Sequence, residues 1–466
     1  MAKQFISMGA LLAGAVIFAS CGGGGASLSS LPSSSSNGAS SQSAVTSVVP
    51  GLTDLDSQVA SGYVRYACPS VGRIHCLAVL VTQAGMSAFG YQTVVRPDDV
   101  AAGLRPDHSC HYDNEHHISA PGCATPSPAP TPTSTSPGEP KGAYGPASLQ
   151  AAYNIDPSGG AGRVVAVIES GDAPTLEADL GVYRSEYGLP PCTTANGCFR
   201  KVNETGGSAL PKVDADWAQE TSLDVDMVSA LCPNCGILVV EAAAGGESQD
   251  LDTAVNTAAS MGAVAISNSY GGTEYSKELS VDGPAYDNHP GVFVTASAGD
   301  AGYGTEEPAV FPNVIAVGGT DLSPSASTAR GWTETVWSDS GSGCSAYIPK
   351  PTWQTDTGCR NRTANDVAFD ADPNTGVALY DSTKADGVSG WLVAGGTSVG
   401  APAIAAIYAL VGNGLSNASS LYANTADLFD ITSGSDGRCS PAYLCTGEVG
   451  YDGPTGNGTP NGTGAF

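Results

Sequence analysis

An α/β fold built on a parallel sheet is what this sequence predicts, and three features carry that reading. From Tyr144 onward, short apolar runs rich in β-branched residues recur. Stretches of helix length separate them. The chain has 466 residues, enough for one large α/β domain plus extensions.

The strand candidates come in order: Val164–Ile168, Gly236–Val240, Ala263–Ser267, Val292–Ala296 and Val314–Val317. Each is apolar nearly throughout instead of alternating, the pattern of a strand covered on both faces. Between them lie helix-length stretches, for example Ala218 to Leu231 and Ala254 to Met261. Strand–helix–strand order of this kind implies a parallel sheet with helices on both faces.

The amino-terminal third has a different texture. An apolar run from Phe5 to Ala19 follows Lys3 and ends at Phe18-Ala19-Ser20-Cys21, which resembles a bacterial lipoprotein box with Cys21 as the acylated residue. Residues 1–21 therefore read as a lipoprotein-type signal peptide, the alternative being an ordinary cleaved signal. Residues 22–48, nearly all Gly, Ser and Ala, read as a flexible tether. Residues 49–120 form a small Cys-containing leader with strand-like runs such as Cys76–Val81. A Pro/Ser/Thr-rich linker spans 121–143, and 144–466 is the main domain.

Thirteen cysteines are many for a reducing compartment. Twelve lie as near neighbours: Cys68 and Cys76, Cys110 and Cys123, Cys192 and Cys198, Cys232 and Cys235, Cys344 and Cys359, Cys439 and Cys445. Local pairing is the simplest arrangement, though spacing alone does not fix connectivity. For Cys232-Pro233-Asn234-Cys235 a structural disulfide is favoured over a redox or zinc role, since no second Cys or His pair stands at suitable spacing. Cys21 is the odd one.

The formal net charge is -27, from 18 basic and 45 acidic residues. That balance argues against a nucleic-acid partner, because phosphate binding needs clustered Lys and Arg. It suits a protein working in acid, where protonating the carboxylates leaves few positive charges to repel one another. Simple solubility is the plainer reading.

Gly395-Gly396-Thr397-Ser398-Val399-Gly400-Ala401-Pro402 is the sharpest chemical signal. It sets Ser398 at the start of an apolar helix, where unpaired amides and the helix dipole favour developing negative charge. A plain N-cap is the alternative. A Ser nucleophile needs a base. The only His after the linker is His289, in the turn-like Asp287-Asn288-His289-Pro290. Carboxylates are better placed. Glu220 and Asp224 stand four residues apart, on one helix face, where mutual repulsion favours a shared proton. Asp300, in Ser297-Ala298-Gly299-Asp300, follows a predicted strand, and loops at such strand ends build sites.

These motifs, in this order, resemble the sedolisins, the serine-carboxyl peptidases of the subtilisin-like superfamily. Tyr144-Gly145-Pro146, Ser267-Asn268-Ser269-Tyr270-Gly271-Gly272 and Asp366-Val367-Ala368 agree, so the resemblance covers roughly 144–466. It implies Ser398 as nucleophile, Glu220 as general base, Asp224 as its orienting partner and Asp300 as a protonated oxyanion donor. It also implies one structural Ca²⁺ in the tail, with carboxylates Asp430 and Asp452 and carbonyls of Ile431, Glu448 and Gly450. The expectation is a monomeric, secreted or surface-tethered acid endopeptidase acting on proteins or peptides. It would meet a membrane only through Cys21. The alternatives are an inactive protease-like binding protein and a hydrolase using His289.

Overall fold

The computed structural model describes residues 54–68, 74–91, 142–412 and 416–466. Cys21, the signal, the tether, most of the linker and the Cys110/Cys123 pair lie outside them.

The central sheet is that of a subtilisin-like α/β fold. Its strands run in the spatial order Trp332–Val336, Val314–Pro324, Phe293–Ser297, Ala265–Asn268, Val164–Ser170, Gly236–Ala242, Phe199–Asn203. Val367–Asp370 also pairs with Val314–Pro324. Every pairing is parallel except that of Trp332–Val336. All five strand candidates lie in this sheet, and their apolar runs are buried because helices cover the strands. Phe199–Asn203 was not among the candidates. Its Phe-Arg-Lys-Val-Asn pattern is that of a half-exposed edge strand.

Two helices matter for the site. Ala215–Leu231 starts on an Asp214 cap, whose carboxylate accepts the amides of Asp216 and Trp217. From Trp217 on, every residue of this helix is buried, polar ones included. The helix Gly400–Val411 is apolar and buried over Gly400–Ala409. It ends on Gly412, in the left-handed region at φ +59°, with Arg163 bound to the Ala409 and Leu410 carbonyls at 2.6 and 2.7 Å. Charge at that end opposes the helix dipole favourably.

Five disulfides close among the described residues, each between sequence neighbours: Cys68–Cys76, Cys192–Cys198, Cys232–Cys235, Cys344–Cys359 and Cys439–Cys445. The described part of the leader joins the body. Val64–Tyr66 and Val79–Val81 form a hairpin that extends the pair Val377–Ala385 and Val388–Gly395 into a four-stranded sheet. Ile74–Cys76 pairs with Tyr270–Thr273.

Candidate active site

Parallel strands bring their carboxyl ends to one edge of the sheet, and the site is built there. Val164–Ser170 supplies Glu169. Ser269 follows Ala265–Asn268, and Asp300 follows Phe293–Ser297. The helix Ala215–Leu231 passes behind with Glu220 and Asp224 on one face. Ser398 sits in a single 3₁₀ turn, Thr397–Val399, that leads into Gly400–Val411.

Ser398 is fully buried, as are Glu220, Asp224 and Glu169, and Asp300 is 3% exposed. Glu220 and Asp224 thus face the interior and not solvent. So many buried acids cannot all be charged, and burial is the first cause that raises each of them. Glu220 is pushed well above the usual carboxylate range by burial, then by Asp224. The Ser398 hydroxyl and the Ala78 amide act the other way, favouring its ionised form. Asp224 is raised by burial and pulled back by Ser269 and Glu169. Ser269 Oγ donates to both Asp224 oxygens, at 2.8 and 2.9 Å. Glu169 is raised by burial and then by the charges of Asp224 and Glu220. A chain of carboxyls results, with Ser398 at one end and Glu169 at the other.

Asp300 is raised well above its ordinary value, chiefly by burial, with the charges of Glu306 and Asp339 adding to it. Its Oδ1 accepts the Thr397 amide and hydroxyl, both at 2.8 Å. Its Oδ2 has no partner and borders Gly396. Gly396 has φ +92°, and a Cβ there would lie 2.6 Å from that oxygen. Only glycine leaves this corner open.

The rival base is elsewhere engaged: His289 Nε2 is bound to the Ala285 carbonyl at 2.7 Å, within its own turn. Reading the sequence missed Glu169 and the part played by Ser269. The signal for Glu169 was present, since an acid directly after a buried strand run falls at the sheet's carboxyl edge.

The Subtilase family model matches residues 215–427. Kumamolisin of Bacillus sp. (strain MN-32) is 31% identical over 364 residues, covering 69% of this chain and 62% of that protein. The solved Pseudomonas sedolisin, a serine-carboxyl proteinase complexed with two molecules of pseudo-iodotyrostatin, matches with a TM-score of 0.57 at 26% identity. That match covers 70% of this chain and 96% of the other. The chain belongs to the sedolisin family. Among sedolisin relatives it is also similar to xanthomonalisin of Xanthomonas sp. (strain T-22), 27% identical over 387 residues, covering 68% of this chain and 44% of that one. The chain thus spans 62% and 44% of the lengths of these two curated relatives.

The matched span takes in Glu220, Asp224, Asp300 and Ser398 and ends before the carboxyl-terminal tail. In that tail, Asp430 accepts the Gly450 amide at 3.0 and 3.2 Å. Asp452 accepts the Glu448 amide at 3.0 Å and the Thr455 amide and hydroxyl at 2.9 and 2.8 Å. The Ile431 carbonyl borders Gly447, where a Cβ would lie 2.9 Å away. The five tail residues are therefore neighbours. Asp452 is pushed up to about 7, chiefly by burial, with the Asp430 charge contributing. Among the described residues no lysine or arginine bridges either carboxylate. Two carboxylates and nearby carbonyls without a balancing side-chain charge fit a hard divalent cation.

Proposed function

We propose that this chain is a serine-carboxyl endopeptidase that hydrolyses peptide bonds of proteins at acid pH. The observation that carries the reading is the meeting of Ser398, Glu220, Asp224 and Asp300 at one sheet edge. In this reading Ser398 Oγ adds to a peptide carbonyl and its proton passes to Glu220. Asp224 orients Glu220. Asp300, protonated, donates to the oxyanion. The C–N bond then breaks as Glu220 returns the proton to the leaving amine, and water releases the acyl group by the same path.

The site of action is outside the cell or on its envelope. Five disulfides among the described residues support an oxidising compartment. Acylation of Cys21 would anchor the chain, with 22–48 as tether, 49–120 as leader, 121–143 as linker and 144–466 as the peptidase. The substrates are proteins or peptides and the working form is a monomer. One Ca²⁺ held by Asp430, Ile431, Glu448, Gly450 and Asp452 would brace the tail by offsetting the repulsion between its carboxylates.

The deciding experiment incubates purified protein with an unfolded protein between about pH 3 and 7, a range set by normal carboxyl pKa values and upward shifts. Cleavage by the wild type and none by Ser398→Ala is expected. Equal cleavage by both would remove Ser398 from the mechanism.

A further inference from the structure

Three buried acids away from the candidate active site meet on one strand. Asp179 lies on the helix Leu176–Glu186, Asp226 on the helix Ala215–Leu231 and Asp381 on the strand Val377–Ala385. Each is at most 2% exposed. Their carboxyls take backbone amides from neighbouring positions of that strand. Asp226 Oδ2 accepts the Tyr380 amide at 3.0 Å, Asp179 Oδ2 the Ser382 amide at 3.0 Å and Asp381 Oδ1 the Thr383 amide at 2.9 Å. Thr175 Oγ1 donates to Asp179 Oδ2 at 2.5 Å and lies 2.9 Å from Thr383 Oγ1. Pairing of this strand with Val388–Gly395 is regular as far as Asp381, opposite Gly390, and shifts register beyond it. The carboxyls thus support the strand around the point where its own ladder lapses.

What this junction lacks is countercharge. The charged and titratable groups facing the three acids are one another, Arg184 and Tyr380. Arg184 donates from Nε to the Pro190 carbonyl at 2.6 Å, from Nη1 to the Ser229 hydroxyl at 2.8 Å and from Nη2 to the Pro233 carbonyl at 2.5 Å. Each of its nitrogens is therefore spent on a neutral acceptor. Asp381 and Asp179 stand within hydrogen-bonding reach of each other, and two carboxyls bond only through a proton. Among the described residues no N–H or O–H of another type reaches Asp381 Oδ2 or Asp226 Oδ1.

We propose that Asp179 and Asp381 share one proton, and that this proton closes a clamp holding the strand Val377–Ala385 to the helices Leu176–Glu186 and Ala215–Leu231. As pH rises the proton leaves, like charges face one another in a buried site beside Asp226, and the clamp loosens. Burial first, and then the Asp179 charge, push Asp381 up to about 7 against the pull of the Thr383 amide. Asp226 is raised well above its ordinary value by burial, with the charges of Asp179 and Asp381 adding to it and Arg184 opposing. Unfolded, Asp381 would titrate near 3.8, so its contribution is fully present below about pH 4 and lost as pH rises toward 7. One clamped helix carries Glu220 and Asp224, and the strand paired with the clamped one leads through Gly395 to the Ser398 turn. Opening therefore loosens base and nucleophile together, apart from any titration of the catalytic acids. That consequence rests on the peptidase reading above; the clamp itself does not.

The test measures amide hydrogen exchange of the segment 377–385 by mass spectrometry between pH 5 and 8. It uses the full-length chain carrying Ser398→Ala, so that no digestion intervenes, and divides each rate by that of the unfolded segment. The protection factor is expected to fall about tenfold or more from pH 5 to 7 and then to level off. Asp381→Asn, added to that chain, offers Asp179 an amide donor in place of the shared proton and keeps an oxygen for Thr383. Its decline is expected to be about tenfold smaller. Asp381→Ala offers neither and should leave the segment weakly protected even at pH 5. A protection factor that stays level from pH 5 to 8 without either Asp381 change would overturn the proposal, whether or not those variants fold. An equal decline in Asp381→Asn would overturn it too. The readout involves no turnover, so failure of the peptidase reading would leave this result standing.

Discussion

Asp300 gives one carboxyl oxygen to Thr397, through its amide and its hydroxyl at 2.8 Å each, and leaves the other turned to the corner beside Gly396. The second oxygen is of use to an oxyanion only while it carries a proton. Burial raises Asp300 well above its ordinary value, which favours the protonated form. Activity is expected to fall as pH rises through its pKa. It should also fall at the acid end, where Glu220 no longer accepts a proton. Asp300→Asn keeps a donor without the titration and should flatten the high-pH limb, while Asp300→Ala should lose most activity throughout. The measurement is kcat/KM against pH. A wild-type profile rising from pH 5 to a plateau at 8 would point to a histidine base instead.

Glu220 and Glu169 differ in their distance from the chemistry. Glu220→Gln should cut kcat by several orders of magnitude with the fold intact, as expected for the general base of the proposed mechanism. Glu169 touches the reaction only through Asp224 and is a positioning residue. Glu169→Ala should cost about one to two orders of magnitude in kcat and shift the acid limb of the pH profile, because the coupled set titrates together. A Glu169 with a purely structural role would lower stability and leave that limb in place.

In the tail, removing a bound cation should restore the repulsion between Asp430 and Asp452. EGTA is expected to lower the wild-type Tm, and added Ca²⁺ to restore it. Asp430→Asn should start lower and respond to neither. An unchanged wild-type Tm in EGTA would remove the calcium assignment.

Arg362 and Asp366 form a fully buried bidentate pair, at 2.8 and 2.6 Å. Asp366 also accepts the Ala316 amide and the Tyr422 hydroxyl, both at 2.9 Å, tying a sheet strand to the carboxyl-terminal region. Removing one partner leaves a buried charge unpaired. Asp366→Ala should destabilise by about 3–5 kcal/mol, read from denaturant unfolding. A loss under about 1 kcal/mol would mean that water reaches Arg362 there.

Stability should follow pH in the direction set by the buried acids. Glu306, Asp381 and Asp436 are each pushed up to about 7, chiefly by burial. Unfolded, they would titrate near their ordinary values of 4.5, 3.8 and 3.8. Between about pH 4 and 7 the folded chain therefore holds more protons than the unfolded one. Their contribution is fully present below about pH 4 and lost as pH rises toward 7. Tm measured in steps from pH 4 to 8 should decline, and a steady rise would contradict it.

Much of this was legible in the sequence because it is local. Unbroken apolar runs specify strands covered on both faces, and the five named runs all lie in the sheet. A four-residue spacing puts Glu220 and Asp224 on one helix face whatever surrounds the helix. Cysteines a few residues apart meet with little loop to close, and five such pairs did. What only the tertiary structure decided is long-range. Glu169 meets Asp224 because two elements 55 residues apart pack together, so no spacing announces it. The three-residue strands Ile74–Cys76 and Val79–Val81 are too short to name their partners. They found the edges at Tyr270–Thr273 and Gly395 because backbone donors and acceptors at a sheet edge pair with any extended chain that reaches them. Which chain reaches them depends on how the whole molecule folds.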